Sequence, residues 1–322
     1  MSAEAGTLMA VGGGARHVRT VLVVAIVAAI ALFLWVYAPS FYRFNNLINV
    51  LVQSSSLAVL CIGMAVVMIG GGIDLSLPAN MALSAILGGF VMAAGNSPWA
   101  GCAVMLLTGS VIGTLNGVAV AYLKMIPFVV TLATMTVVGG LSVWLTNSTS
   151  VSGFPESFFD VMLARPGGVP TPVFISALIV LVVSVVMSST MFGRHVYAAG
   201  ISPKAAEVAR VPVERTLLMS YGLAGFCAGL TAILLSARLG SASANMGVDS
   251  VVLDIVSAVV VGGISIYGGV GRIWAAALGA IFITLLSNSL NQLGASFYLS
   301  LVIKGVVIIA FIALDTAFRS RR

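Results

Sequence analysis

The stretch INVLVQSSSLAVLCIGMAVVMI occupies residues 48–69 and contains no charged residue. At about 1.5 Å of rise per residue, a helix of this length covers roughly 30 Å, which is the thickness of the hydrocarbon core of a bilayer. A helix on the surface of a soluble protein would need a continuous polar face, and here the polar residues are confined to the first nine of 22 positions. We therefore predict a membrane-spanning helix over residues 48–69.

Nine further apolar stretches have a similar length, and together they define the fold class as all-α. The complete set predicts a polytopic membrane bundle of about ten transmembrane helices, at 20–38, 48–69, 77–95, 98–122, 127–146, 172–190, 216–237, 248–266, 273–292 and 297–315. The stretch 248–266 contains Asp249, Asp254 and several glycines. The sequence leaves open whether this stretch is one continuous span.

Composition excludes several classes of protein. Of the 322 residues, 60% are apolar and 7% are charged, whereas soluble chains carry about a quarter charged residues. A nucleic-acid partner would require an exposed basic face with aromatic residues, and the sequence contains none. The three cysteines lie in apolar runs, and neither His17 nor His195 has a metal-ligand partner at a suitable spacing. Without a phosphate-binding loop or a catalytic constellation, we predict no enzyme activity, no cofactor and no metal site.

Lysine and arginine residues are unevenly distributed between the two sides of the predicted bundle, and cytoplasmic loops carry the excess of these residues. With the N-terminus inside, eleven lie on the inner side, three on the outer side and Lys304 within a span. The inner set is Arg16, Arg19, Lys124, Arg194, Lys204, Arg210, Arg215, Arg272, Arg319, Arg321 and Arg322, and the outer set is Arg43, Arg165 and Arg238. We predict that both termini are cytoplasmic, with an N-terminal tail over 1–18, a transmembrane domain over 19–316 and a basic tail over 317–322.

Small and charged residues within the spans indicate helix contacts. Gly109 and Gly113, and likewise Gly225 and Gly229, have the GxxxG spacing that lets membrane helices approach closely. Asp254 and Lys304 are predicted to lie about 10 Å below the outer surface. Because an isolated charge at this depth is costly, we predict that these two residues form an intramembrane polar pair.

Two connecting segments have local signals of their own. Gly70–Gly72 allow a sharp turn, and Asp74 is expected to cap the helix that follows. The inner loop at about 191–215 contains Ser202-Pro203, a helix N-cap followed by proline at the first helical position. We predict a short helix over 202–211 that Pro212 ends. From the residues alone, this helix is either a docking element for a cytosolic partner or a simple connector.

The stretch GMAVVMIGGGIDLSLPANMALSAILGG, residues 63–89, resembles the signature of permease subunits of ribose-type monosaccharide ABC importers. Its most specific part is the signature turn Gly71, Gly72, Ile73, Asp74, Leu75 and Ser76. Three later stretches match the same family in order: GTLNGVAVAYLKMIPFVVTLATM (113–135), GRHVYAAGISPKAAEVARVPVER (193–215) and LDIVSAVVVGGISIYGGVGRIWAAALGA (253–280). The resemblance covers nearly all of the chain from about residue 45. Leu77-Pro78 departs from the usual Val-Gly of the family.

The resemblance implies a multi-pass protein of the bacterial inner membrane that pairs with a second permease copy or a sister permease. Cytosolic ABC ATPase subunits would supply the energy and a periplasmic sugar-binding protein would deliver the solute, a ribose-type or related pentose or hexose. The resemblance further implies an ATPase-coupling helix made of Ser202, Pro203, Lys204, Ala205, Ala206, Glu207, Val208, Ala209 and Arg210. It also suggests that the fifth predicted span lines a channel along the dimer axis, and the candidate pathway residues are Phe128, Thr131, Thr134 and Asn288.

Other transport functions remain alternatives. A permease of the same architecture for a nucleoside or a branched-chain amino acid is one, although the sequence Gly-Gly-Ile-Asp-Leu-Ser favours sugars. A secondary transporter is the other, and against it stands the absence from the sequence of a run of buried carboxylates and of clear broken-helix repeats.

Overall fold

The structure is a computed structural model that describes residues 35–247 and 249–319. The predicted N-terminal tail 1–18 and most of the predicted span 20–38 lie outside the described residues, as do residues 320–322 of the basic tail. Within the described ranges the regular structure is helical, and β-pairing is confined to one bridge between Val151 and Ala242.

The helices of the described residues follow the apolar pattern of the sequence. They are α1 (Phe44–Ile69), α2 (Leu77–Ala93), α3 (Pro98–Ala121), α4 (Pro127–Thr146), α5 (Glu156–Met162), α6 (Thr171–Ser189), α7 (Met191–Ile201), α8 (Pro203–Val208), α9 (Val213–Leu239), α10 (Asp249–Val261), α11 (Ile273–Gln292) and α12 (Phe297–Arg319). Short 3-10 turns lie at Pro39–Tyr42, Pro166–Gly168 and Ala244–Gly247.

The polytopic membrane class predicted from the sequence is confirmed. Seven helical segments in the described part of the chain are long and apolar enough to cross a membrane, namely α1, α3, α4, α6, α9, α11 and the segment Ala244–Val261 that contains α10. Two apolar helical segments are shorter than these seven. They are α2, with 17 residues, and the part Phe297–Val307 of α12. The total of ten spans stays a prediction, because the first predicted span lies largely outside the described residues.

Helix α10 departs from the predicted span 248–266. It ends at Val261, because Gly262 and Gly263 follow and Gly263 adopts a φ of +81°, a left-handed conformation that ends a helix and suits glycine. A 3-10 turn at Ala244–Gly247 precedes the helix. The segment long enough to span therefore begins at the 3-10 turn at Ala244 and ends at Val261, and α10 forms its last 13 residues.

Helix α1 lies at the centre of the bundle, in contact with α6, α9, α10 and α11. Its second half, from Ala58 to Ile69, is buried throughout. Gly63 makes this possible, since a Cβ atom at this position would lie 3.0 Å from the Cα of Ala224 in α9. A larger residue would push the two helices apart.

The most extensive contact between two helices joins α3 and α9 through the glycines predicted to allow close approach. A Cβ atom on Gly225 would lie 2.2 Å from the carbonyl oxygen of Gly109, and one on Gly113 would lie 2.8 Å from the Cα of Gly225. A Cβ atom on Gly229 would meet Met105 O at 2.5 Å. The two GxxxG motifs face each other, so backbone packs directly against backbone.

Candidate functional site

The signature turn leaves α1 by a sharp bend and then buries a carboxyl group. Gly71 has a φ of +86°, which glycine adopts without strain. A Cβ atom on Gly72 would lie 2.6 Å from the hydroxyl of Tyr221 in α9, so only glycine fits there. Beyond the glycines, the side chains of Asp74 and Ser76 are fully buried.

Asp74 is the first member of a buried chain of hydrogen bonds that links the signature turn to two helices. Its Oδ1 accepts from the backbone N–H of Ser76 at 3.0 Å and from the hydroxyl of Ser76 at 2.5 Å. Asn116 Nδ2 in α3 donates to Ser76 Oγ at 2.8 Å, and the hydroxyl of Thr134 in α4 donates to Asn116 Oδ1 at 2.6 Å. The turn is thereby fixed to both α3 and α4.

Asp74 does not cap the helix that follows it, contrary to the sequence prediction. Helix α2 begins at Leu77, and its N-cap residue Ser76 makes no side-chain capping bond. Asp74 instead closes a two-residue Asx-turn onto Ser76 before the helix starts. Burial raises the pKa of the Asp74 carboxyl to about 6, against the opposing effect of its hydrogen bonds from Ser76.

Three of the four stretches that carry the family resemblance meet at a junction of glycines. A Cβ atom on Gly200, at the end of α7, would lie 1.9 Å from the carbonyl oxygen of Ile69 and 2.6 Å from the nitrogen of Gly269. A Cβ atom on Gly268 would lie 2.9 Å from the Cα of Gly71. The N–H of Gly269 donates to Ile69 O at 2.8 Å and joins the α10–α11 turn to the end of α1.

The candidate coupling helix α8 follows this junction directly. Ser202 is its N-cap and accepts from the N–H of Ala205 at 3.3 Å. Ala206 is buried and belongs to a small apolar cluster with Ala199 and Val213. This cluster holds α8 against α7 and α9. The remaining helix residues are exposed, and Val208 is 87% exposed.

Helix α8 ends earlier than predicted, because the chain adopts a left-handed cap before it reaches Pro212. Arg210 has a φ of +60°, its N–H donates to Glu207 O at 2.9 Å, and the N–H of Val211 donates to Ala206 O at 2.9 Å. This pattern is a Schellman motif. Arg210 therefore lies outside the helix and does not share a helical face with Lys204 and Glu207.

The four candidate pathway residues do not come together in one place. The hydroxyl of the buried Thr131 lies 3.0 Å from Pro127 O in its own helix and 3.2 Å from Ile73 O, while Thr134 belongs to the Asp74 hydrogen-bond chain. Phe128 is 50% exposed on α4. Asn288 lies on α11, where its Nδ2 donates to Asn46 Oδ1 at 3.0 Å. Both threonine hydroxyls have protein acceptors, and Thr134 joins α4 to α3.

Asp254 and Lys304 lie together, as predicted for an intramembrane pair. Lys304 Nζ is 2.8 Å from Oδ1 and 3.0 Å from Oδ2 of Asp254. The side chains are 15% exposed for Lys304 and 23% exposed for Asp254. The pair joins α10 to α12 and satisfies both charges in a mostly buried setting.

Two residues of the signature-turn site were missed as site residues at the sequence level. Asn116 stands out only as a polar residue in an apolar run, and its role depends on Ser76, forty positions away. Tyr221 is fully buried and gives no sequence signal. Its hydroxyl has no hydrogen-bond partner among the described residues, as is also true of Asp74 Oδ2.

The chain is similar to known proteins over most of its length. Residues 46–312 match a family described as branched-chain amino acid transport system / permease component. The ribose import permease protein of Escherichia coli strain K12 is 35% identical over 282 residues, which cover 86% of this chain and 88% of that protein. The corresponding Bacillus subtilis strain 168 protein is 37% identical over 279 residues, 86% of each chain. The galactose/methyl galactoside import permease protein of Salmonella typhimurium strain LT2 is 32% identical over 303 residues, 88% of this chain and 90% of that protein. No solved structure matches the chain.

Proposed function

Because the chain belongs to the branched-chain amino acid transport system / permease component family, it is a multi-pass membrane permease, and we propose that its solute is a monosaccharide. The observation that carries this proposal is the similarity to ribose import permeases, at 35% and 37% identity over 86% of the chain. A galactose/methyl galactoside permease aligns over a similar share. The sugar class is common to these relatives.

A branched-chain amino acid is the second candidate solute, since the description of the family names it. Buried neutral hydroxyl and amide groups within the helices, such as those of Ser56 and Thr231, hydrogen-bond to sugar hydroxyls without needing an opposite charge. An amino acid carries an ammonium and a carboxylate, which each require a charged or strongly polar partner. The charged side chains Asp254 and Lys304 lie near these two hydroxyls but already pair with each other, and this pairing favours the sugar over the amino acid.

The energy source in this proposal is ATP hydrolysis in separate cytosolic ATPase subunits that contact α8. Support comes from the placement of α8, which is anchored through Ala206 and otherwise exposed. Displacement of α8 would act on Gly200 and Ile201, which contact the end of α1 and the α10–α11 turn. A periplasmic sugar-binding protein would deliver the solute to a dimer of permeases from the other side.

The proposed topology places both termini and α8 in the cytoplasm and the 147–171 segment in the periplasm. The bias of eleven basic residues inside against three outside supports it. Reporter fusions after Arg322 and within 150–160 test this arrangement. A reporter after Arg322 that is active only in the periplasm would contradict it.

The solute class is tested by isolating the natural partners. Affinity purification of the tagged full chain from cross-linked membranes should recover an ATPase and a binding protein. Titration of that binding protein with D-ribose, D-allose, D-galactose, adenosine and L-leucine should give saturable binding of one sugar. Saturable binding of L-leucine or adenosine, with no binding of a sugar, would contradict the proposal.

A further inference from the structure

An open cavity of about 220 Å³ with a mixed polar and apolar lining lies within the single chain, between α1, α2, α9, α10, α11 and α12. The polar residues that line it are Gln53, Ser56, Thr231, Arg238, Asp254, Thr284, Ser287 and Lys304. Its apolar lining includes Leu60 and Met81. None of the candidate pathway residues on α4 contributes to it. The cavity is smaller than the roughly 300–1,000 Å³ of sites for drug-sized ligands, so it suits a small solute.

One side chain in this cavity has a hydrogen-bonding group with no partner in the described part of the chain, and a second polar side chain lies beside it. Ser56 is 6% exposed, and its hydroxyl has no hydrogen-bond partner among the described residues. A buried hydroxyl without a partner costs about 1–3 kcal/mol, so such groups generally have a ligand or a water. Gln53 lies one turn earlier on the same helix and lines the same space.

The other hydroxyls of the cavity are prepared to accept hydrogen bonds. Thr231 donates its proton to Cys227 O at 2.9 Å, Thr284 donates to Ala280 O at 2.8 Å and Ser287 donates to Ile283 O at 2.8 Å. Each oxygen retains lone pairs for another donor. Ser56, Gln53 and the ammonium of Lys304 supply donors, so the cavity presents both kinds of group.

The charges of the cavity favour a neutral solute. Asp254 and Lys304 form a close ion pair, so their charges cancel within the lining. Arg238 is exposed, and it lies in the last turn of α9, where the helix C-terminus stabilises a cation. The helix C-terminus offsets part of its charge, and its exposed position leaves the rest to be stabilised by solvent. A solute whose hydroxyls both donate and accept hydrogen bonds matches the remaining groups.

We propose that this cavity is a binding site for a neutral, polyhydroxylated solute of monosaccharide size within one permease chain. The proposal rests on the proposed function and adds a location to it: the site lies between α1 and α9–α12, away from the exposed face of α4. The ion pair between Asp254 and Lys304 forms one wall of the site and presents its remaining hydrogen-bonding capacity to the solute.

Protection of an introduced cysteine tests the site on the full chain in lipid nanodiscs. Ser56→Cys places a thiol where the unpartnered hydroxyl lies, and Ser287→Cys is a second position in the same cavity. A small uncharged thiol reagent should modify both. The sugar that the reconstituted transporter carries, at about ten times its Kd, should slow both reactions about tenfold, because only the empty fraction reacts.

Ser184→Cys is the matched control. Ser184 also has a buried hydroxyl without a partner among the described residues, but it lines a separate, mainly apolar cavity between α1, α6 and α11. Its modification rate should not change with sugar. The unmodified chain measures the background from Cys61, Cys102 and Cys227, which are buried.

The outcomes separate this inference from the proposed function. The transporter could take up a sugar that protects neither Ser56→Cys nor Ser287→Cys at concentrations up to about 100 mM, which is far above a millimolar Kd. In that case the proposed site is wrong and the proposed function stands. Protection by inorganic phosphate or sulfate, without protection by the sugar, also overturns the site. Uptake of L-leucine instead of any sugar overturns both.

Discussion

Gly200→Ala tests the glycine junction that joins α7 to the end of α1. The new methyl group would lie 1.9 Å from Ile69 O and 2.6 Å from the nitrogen of Gly269, the two atoms of an existing hydrogen bond. Overpacking costs about 1–3 kcal/mol, and separation of the hydrogen-bonded groups costs about 1–3 kcal/mol more. Alanine recovers at most about 1 kcal/mol through its helix propensity. We expect a net loss of about 3 kcal/mol in the free energy of unfolding.

Unfolding in detergent can be followed with the chain's own thiols, because Cys61, Cys102 and Cys227 are buried and react only when the fold opens. A fluorogenic maleimide should therefore report a lower unfolding midpoint for Gly200→Ala. The matched control is Gly305→Ala, since a Cβ atom there meets nothing within 4 Å among the described residues. Equal midpoints for the two variants would refute the close junction.

Three further predictions concern the coupling helix, the intramembrane pair and the buried carboxyl. Ala205→Trp, at an exposed position of α8, should leave the unfolding midpoint unchanged but abolish ATPase association or uncouple hydrolysis from uptake. Normal assembly and uptake would show that α8 is only a connector. In a double-mutant cycle, Asp254→Asn and Lys304→Met should be non-additive by about 1–3 kcal/mol in unfolding free energy, and strictly additive losses would reject the pairing. Because burial raises the pKa of Asp74 from 3.8 to about 6, the fold holds its proton more tightly than the unfolded chain does. Stability should therefore fall as pH rises from about 4 to 6, and Asp74→Asn should remove that slope; a variant with the same slope would contradict the assignment.

The helix positions could be predicted from the sequence, whereas some helix ends could not. Long apolar runs have one low-energy arrangement in a bilayer, so α1, α3 and α11 begin and end close to the predicted limits. The end of α8 depends on a left-handed Arg210, which few residues other than glycine and asparagine adopt. Pro212 predicted the C-terminal end of α8 only to within a few residues.

The partners of buried polar residues were harder to predict, because each lies far along the chain. The pairing of Asp254 with Lys304 could be predicted because an isolated charge within the bilayer is energetically costly and has few possible partners there. Thr131 and Thr134 carried no such constraint, and a hydroxyl is satisfied equally by a solute or by a neighbouring helix. The structure gives both of them protein acceptors, Pro127 O and Ile73 O for Thr131 and Asn116 Oδ1 for Thr134.

The most direct test of the central claim is ATP-driven uptake into proteoliposomes that contain the full chain, its co-purified ATPase and its binding protein. One radiolabelled monosaccharide should accumulate inside only when ATP is present on the ATPase side, and L-leucine and adenosine should not accumulate. Accumulation of the sugar without ATP would indicate a secondary transporter. Accumulation of L-leucine or adenosine, with no uptake of a sugar, would contradict the account.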